Sequence, residues 1–499
     1  MLFNTLAFAK FFIFVFTVSW LLARWPRARF GFLATMSYVF YAGLDVFSAK
    51  FLGGVREQGL FAALRLSAPH LVFVPIVFIG STVDYWLAVW LARTEDPSKR
   101  KRALFVTIAM NASVLLVFKY YNFVLDQLEG LAHVVHAPFP NLHLHIPLPI
   151  GISFFTFMSL SYVVDVYRRT IPPCKDYLHY VTYICFFPHL VAGPIIRGKD
   201  LLPLFARPAA LTAAAAGEGM FLMAAGLFKK VVISDYLALN LVDRVVAEPT
   251  SYSSVEVLTA MFGYAIQVYC DFSGYSDVAI GAALLLGYRF KINFDAPYKS
   301  PNVAEFWRRW HISLSSWLRD YVYIPLGGGR VSKPRKYLNL WITMVVCGIW
   351  HGAAWSFVIF GAVQGLAVVA THVYYEWRGK RLDESEGPLT LGRVISVLVT
   401  FLFISLSFVL IRAPFDKALL MYRQLFAFST FTPNLHRTIV LVIAGGVVLQ
   451  WFPRGIYEKV REGFVRAPAI VQAVCLFGVA VALREAASTE AVPFVYFQF

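Results

Sequence analysis

Stretches of about 20 apolar residues recur from one end of this chain to the other, and this repetition constrains the fold more than any other feature. A helix needs roughly 20 residues to cross about 30 Å of hydrocarbon, and within lipid each backbone polar group must be paired inside its own element. Candidate spans fall near residues 3–22, 30–47, 71–91, 103–124, 148–167, 177–196, 216–235, 254–288, 338–375, 390–411, 437–452 and 468–483. The stretch 338–375 is long enough for a hairpin of two. Of 499 residues, 59% are hydrophobic and 15% charged, so lipid is the main solvent. The fold class is all-α: a polytopic integral membrane protein of about 11–13 transmembrane or re-entrant helices. The first apolar stretch, Leu2 to Leu22, has no basic region before it and no small-residue cleavage site after it, and reads as a retained span.

The net charge of +16 would suit a nucleic-acid partner, but its placement excludes one. The basic residues sit in short clusters between spans, the pattern of cytoplasmic loops. Arg24, Arg27 and Arg29, and the run Lys99-Arg100-Lys101-Arg102, are expected in the cytoplasm; residues 125–147 carry no lysine or arginine and are expected outside. That puts the amino terminus outside. Arg454, Lys459, Arg461 and Arg466 mark a further cytoplasmic loop, and the span after it brings the carboxyl terminus outside as well. The five cysteines are scattered singly, with neither disulfide nor zinc spacing, and no metal site is expected.

Residues 289–337 form the least hydrophobic stretch, with ten lysines and arginines against three acids and Trp307, Trp310 and Trp317 interleaved. This pattern reads as a cytoplasmic interfacial segment whose aromatics sit at the headgroups, and the same charges suit attraction of an anionic donor.

Ionisable groups inside spans are costly, which makes each a candidate for function. His351 lies in Cys347-Gly348-Ile349-Trp350-His351-Gly352, within an otherwise apolar segment. An imidazole is suited to take a proton from a hydroxyl, although a buried histidine satisfied by a carbonyl is the plainer alternative. Glycine on both sides predicts close backbone approach and cleared space around the ring. His311, in Phe306-Trp307-Arg308-Arg309-Trp310-His311, is expected at the start of an amphipathic helix on the cytoplasmic side. Asp271 and Asp277, with Ser273 and Tyr275 between them, are expected to pair inside the bundle or to line a wet cavity.

These segments, with Asn293-Phe294-Asp295-Ala296-Pro297-Tyr298, Arg319-Asp320-Tyr321-Val322-Tyr323-Ile324-Pro325 and Phe186-Phe187-Pro188-His189, resemble the membrane-bound O-acyltransferase superfamily, and most closely its bacterial alginate O-acetyltransferase branch. The resemblance implies helices around a central funnel or tunnel, His351 as catalytic histidine, His311 as the second histidine, and acetyl-coenzyme A as a cytoplasmic donor substrate with no tightly bound cofactor. It divides the chain into amino-terminal helices 1–147, a catalytic core 148–376 containing the interfacial segment, carboxyl-terminal helices 377–483 and a tail 484–499. Asp271, Ser273, Tyr275, Asp277, Arg308, Arg309, Trp310 and Trp350 are its candidate substrate-binding or tunnel residues.

The last six residues, Phe494-Val495-Tyr496-Phe497-Gln498-Phe499, resemble the tail of the small partner in teichoic acid D-alanylation, whose tyrosine is implicated as an acyl carrier. A phenol leaving group near pKa 10 stands between a thiol near 8.5 and a sugar hydroxyl nearer water's roughly 15.7, so an acetyl-Tyr496 would still donate downhill to an alcohol. The expected function is acetyl transfer across a bacterial inner membrane, through Tyr496 and an extracytoplasmic SGNH-hydrolase-like partner of a polysaccharide biosynthesis complex, to an exopolysaccharide or cell-wall polysaccharide. D-Alanyl, protein or lipid acylation, and transport of an acyl donor, are the alternatives.

Overall fold

The computed structural model describes residues 1–45, 48, 51, 55–56, 64, 67–191, 193–380, 390–487 and 492–495. Helices dominate and no β-strand occurs among these residues. The chain forms two compact units, 1–219 with 279–290, and 220–278 with 291–499.

The first unit contains α1 (Leu6–Leu21), α2 (Pro26–Tyr41), α3 (Val74–Arg93), α4 (Pro97–Leu115), α5 (Tyr121–Val134), α6 (Ile152–Tyr167) and α7 (Tyr177–Cys185). A π-helical turn, Leu116–Tyr120, joins α4 to α5 into 38 continuous residues. At 1.5 Å per residue that is about 57 Å, longer than a bilayer's hydrocarbon, so the end of α5 extends beyond the span expected to stop near 124.

Two arginines from the basic clusters leave the expected solvated loops and turn inward. Arg29 is 3% exposed; its Nε donates to Ser19 O (3.1 Å) and its Nη2 to Leu286 O (2.7 Å). Arg100 likewise donates to Leu91 O, to Thr94 O at 3.1 Å and to Tyr167 O at 2.6 Å. The acceptors are terminal helix carbonyls with no intrahelical partner, where a cation is most favourable.

The expected span 177–196 is not one helix. It stops at Cys185 and resumes only over Phe187–Leu190, because Pro188 lacks an N–H and Phe186 adopts extended geometry. His189 is fully buried there, its Nε2 2.8 Å from Tyr183 O and its ring stacked on Phe290. The sequence passed over Asp84, a buried acid in α3 held by Asn111 Nδ2 at 3.0 Å and by the Ser159 hydroxyl.

The second unit contains most of α8 (Ala213–Phe228) and most of α9 (Ser254–Leu285), the short helices α10 (Val303–Arg309) and α11 (Ile312–Leu318), the pair α12 (Lys333–His351) and α13 (Trp355–Trp377), and then α14 (Leu391–Arg412), α15 (Phe415–Leu425), α16 (Arg437–Trp451), α17 (Arg454–Arg466) and α18 (Ala469–Ala486). Among the described residues, five helices are long and apolar enough to cross a membrane, or six if the bent α16–α17 pair is one span. The stretch 338–375 is the expected hairpin, and 289–337 contains no spanning helix. The basic segment near 454–466, expected as a loop, is instead a helix bent 92° from α16.

Close crossings are made by glycine. A Cβ on Gly226 would sit 2.5 Å from Gly274 O, and one on Gly274 2.6 Å from Gly226 O, so α8 and α9 touch backbone to backbone. Gly348 and Gly361 do the same for α12 and α13, with a Cβ on Gly348 only 2.3 Å from Phe357 O.

Candidate active site

His351 is the last residue of α12 and is 4% exposed. Cys347, one turn earlier, places Sγ 3.8 Å from its Nε2. The flanking glycines do provide close approach, but they do not clear space. A Cβ on Gly352 would lie 2.1 Å from the Phe357 ring, and a cavity of only about 10 Å³, lined by Tyr264, Trp307, Trp310 and Phe360 among others, touches His351. The packing that brings α13 against α12 fills the volume that the sequence left open.

His311 heads a short helix, as expected, but its ring is turned into the protein. It is fully buried at the head of α11 with φ +45°, a left-handed conformation that a side-chain-bearing residue rarely adopts. Asn293 holds it there. The Asn293 carbonyl accepts from Ile312 N–H (2.9 Å), and Oδ1 accepts from Ser313 N–H (3.1 Å), Ser313 Oγ (2.9 Å) and His311 Nδ1 (3.2 Å). With Nδ1–H donated to an amide oxygen, the neutral ring carries its lone pair on Nε2, the tautomer of an oriented base. Trp350 lies between the two histidines, its ring centroid 5.0 Å from that of His351 and 6.1 Å from that of His311.

The carboxylates of α9 are paired, as intramembrane acids should be. The widened π-helical segment after α8, Lys229–Asp235, supplies both partners. Lys229 Nζ lies 2.6 Å from Asp277 and 3.1 Å from Ser273 Oγ; Lys230 Nζ lies 2.7 Å from both Asp271 and Asp235. The lysines went unremarked in the sequence because each reads alone as a charge at a span's end. Trp310 packs among Phe294, Phe306 and Phe408, a structural position that also borders the small cavity. Arg309 is committed to Glu305 at 2.7 Å, and Arg308 is exposed.

A second cavity, of about 640 Å³, opens where α17 bends away from α16. Phe221, Phe452, Phe464 and Leu476 form part of its apolar lining, while the cations Lys229, Lys299, Arg309, Arg454 and Arg461 and the acids Asp277, Asp295 and Glu458 supply charge. Its inner wall includes Phe294, whose ring lies 6.4 Å from that of His311. Burial, and next the neighbouring Arg309, push the Lys299 ammonium below the ordinary lysine range, with Arg454 adding to the effect and Asp295 opposing it. Five cationic side chains line this cavity against three acids.

The tail enters the second unit. Phe494 and Val495 are buried, the Phe494 ring 4.4 Å from Tyr275 and 5.4 Å from Phe272, and Phe272 lies 4.5 Å from His311. Tyr496 lies outside the described residues.

Residues 71–412 match the membrane-bound O-acyltransferase family. The chain is 37% identical to the probable alginate O-acetylase of Azotobacter vinelandii, over 90% of this chain and 84% of that one. It is 34% identical to the peptidoglycan O-acetyltransferase of Helicobacter pylori over 68% of this chain and 67% of that protein, and 27% identical to the teichoic acid D-alanyltransferase of Streptococcus thermophilus over 52% and 67%. The all-α membrane fold thus belongs to an enzyme of acyl transfer. The chain is a member of the membrane-bound O-acyltransferase family.

Proposed function

We propose that this chain takes acetyl from acetyl-coenzyme A in the cytoplasm and passes it across a bacterial inner membrane to the hydroxyls of an extracytoplasmic polysaccharide, with Tyr496 as carrier. The observation that supports the reading most is the burial of Phe494 against Phe272, which itself touches His311; Tyr496 follows Phe494 by two residues in the sequence.

The charged cavity suits the donor. Coenzyme A is an anionic nucleotide on a long apolar-and-amide arm, and the cavity combines five cationic side chains against three acids with apolar walls that end one aromatic layer from His311. Phe294 must swing aside for the thioester to pass.

In the transfer step, a histidine Nε2 removes the Tyr496 phenol proton as the phenol oxygen attacks the thioester carbonyl. The tetrahedral intermediate expels the coenzyme A thiolate, which takes the proton back from the imidazolium and leaves as thiol. His351 acts on the phenol and His311 assists. The acetyl-tyrosine ester then passes its acetyl to the serine of an SGNH-hydrolase-like partner on the outer side, or directly to a sugar hydroxyl, restoring the phenol. Both termini lie outside in this arrangement. The names of the acetyl-transferring relatives, which cover more of the chain than the D-alanyl relative does, support acetyl as the group and a cell-envelope or exported polysaccharide as the acceptor.

Polysaccharide acetylation in cells that carry His351→Ala or Tyr496→Phe in place of the wild-type chain tests this. Both variants should insert normally and abolish acetylation. Wild-type acetylation by Tyr496→Phe would remove the relay, and by His351→Ala the catalytic assignment.

A further inference from the structure

Three charges buried in the second unit do more than join helices. Lys230 is 2% exposed and lies between Asp235 and Asp271, each 2.7 Å from Nζ. Two members of the group also bond the tail's backbone. Asp271 Oδ2 accepts the Val495 N–H at 2.7 Å, across 224 residues of sequence, and Lys230 Nζ donates to Pro493 O at 3.4 Å.

We propose that Lys230, Asp235 and Asp271 form a clasp for the tail, gripping its backbone at residues 493 and 495, immediately ahead of Tyr496 in the sequence. These are positioning residues, and the assignment of Tyr496 rests on the relay proposed above.

The chemistry fits a backbone rather than a side-chain ligand. The Pro493 carbonyl and the Val495 N–H flank a single residue, Phe494, and the clasp offers one donor and one acceptor at that spacing. Two carboxylates against one ammonium leave an excess of acceptor capacity, which the Val495 N–H meets. Lys230 stays fixed by Asp235 while it reaches the Pro493 carbonyl. Between the two grips, the Phe494 ring packs on Tyr275 and Phe272 and sets the depth of insertion. A buried ion group adds little to stability over well-packed apolar residues, so stabilising the helices does not by itself account for it. A charge-assisted bond to an N–H does require a carboxylate at this point.

The clasp also explains why a carrier would be held by its backbone. The tyrosine side chain must be loaded, turned toward an acceptor and reloaded. Grips on the preceding residues hold the chain by groups other than the tyrosine side chain.

Amide hydrogen exchange of the peptide covering residues 492–499, measured by mass spectrometry on the full chain in nanodiscs, tests the clasp. Val495→Pro removes the gripped N–H without touching the helices; Val495→Ala keeps it. Exchange should rise about 10- to 100-fold in Val495→Pro and Asp271→Leu, the equivalent of losing one charge-assisted bond, with Val495→Ala at the wild-type rate and Asp271→Asn, which keeps an acceptor, between them. Wild-type exchange in Val495→Pro overturns the proposal, whether or not Asp271→Leu folds. Tyr496→Phe separates the two readings. Full acetylation in that variant removes the relay but leaves the clasp standing if Val495→Pro loosens the tail, whereas an unloosened tail in Val495→Pro removes the clasp and leaves the relay intact.

Discussion

Replacing Asn293 by alanine should disable the site without touching either histidine. Its Oδ1 is the shared acceptor for His311 Nδ1, Ser313 N–H and Ser313 Oγ, at 3.2, 3.1 and 2.9 Å. At about 0.5–1.5 kcal/mol net for each bond, losing the three costs about 2–4 kcal/mol of stability, part of it borne by the left-handed backbone at His311. The neutral imidazole would also lose the bond that keeps its lone pair on Nε2. A positioned acid–base group contributes roughly 10²–10⁴ to a rate, and misorienting the assisting histidine should cost the lower end of that range, on the order of 10²-fold in acyl transfer. Asn293→Asp retains the acceptor, giving up only the 3.2 Å bond to Ser276 Oγ, and should stay within about 10-fold of wild type. The assay is transfer of labelled acetyl from acetyl-coenzyme A by purified protein in nanodiscs, read beside thermal unfolding. Wild-type turnover in a folded Asn293→Ala protein would refute the argument that this amide orients His311.

Gly226→Ala and Gly274→Ala each drive a Cβ into the facing backbone and should cost about 1–3 kcal/mol, seen as a lowered Tm. Lys229→Met leaves Asp277 without its cation and should cost about 3 kcal/mol, the low end for a broken buried pair because that carboxylate is 25% exposed; Asp277→Asn in the same chain should recover much of the loss. Arg454→Glu reverses charge at the mouth of the large cavity and should raise the KM for acetyl-coenzyme A by about 10-fold with little change in kcat, an effect that shrinks with added salt.

The architecture was legible wherever one helix explains one apolar run. The hairpin at 338–375 and the absence of a span in 289–337 followed from hydropathy and charge alone. Legibility failed where tertiary contacts redirect a residue. Arg29 and Arg100 belong to basic clusters by sequence, yet they cap helix ends that only the fold brings near. The span 177–196 looked continuous because Phe186-Phe187 is as apolar as a helix interior, although Pro188 was a usable warning. At the site, the pairing of Asp271 and Asp277 was foreseeable from the expense of intramembrane charge, but not that adjacent lysines on a π-helical turn would take one each. His311 read as interfacial because its neighbours Arg308 and Arg309 are basic; the left-handed turn at that residue sends its ring inward while Arg308 stays at the surface. Asn293 lay within a quoted motif, and its role is visible only once residues 18 and 20 positions away meet it.

The most direct measurement is the mass of the carboxyl-terminal peptide after the purified protein meets isotopically labelled acetyl-coenzyme A in the absence of any acceptor. The account predicts one labelled acetyl ester on Tyr496, absent in His351→Ala and removed on adding the extracytoplasmic partner and polysaccharide. Polysaccharide that gains label while Tyr496 never carries any, at times short enough to trap the first turnover, would contradict it.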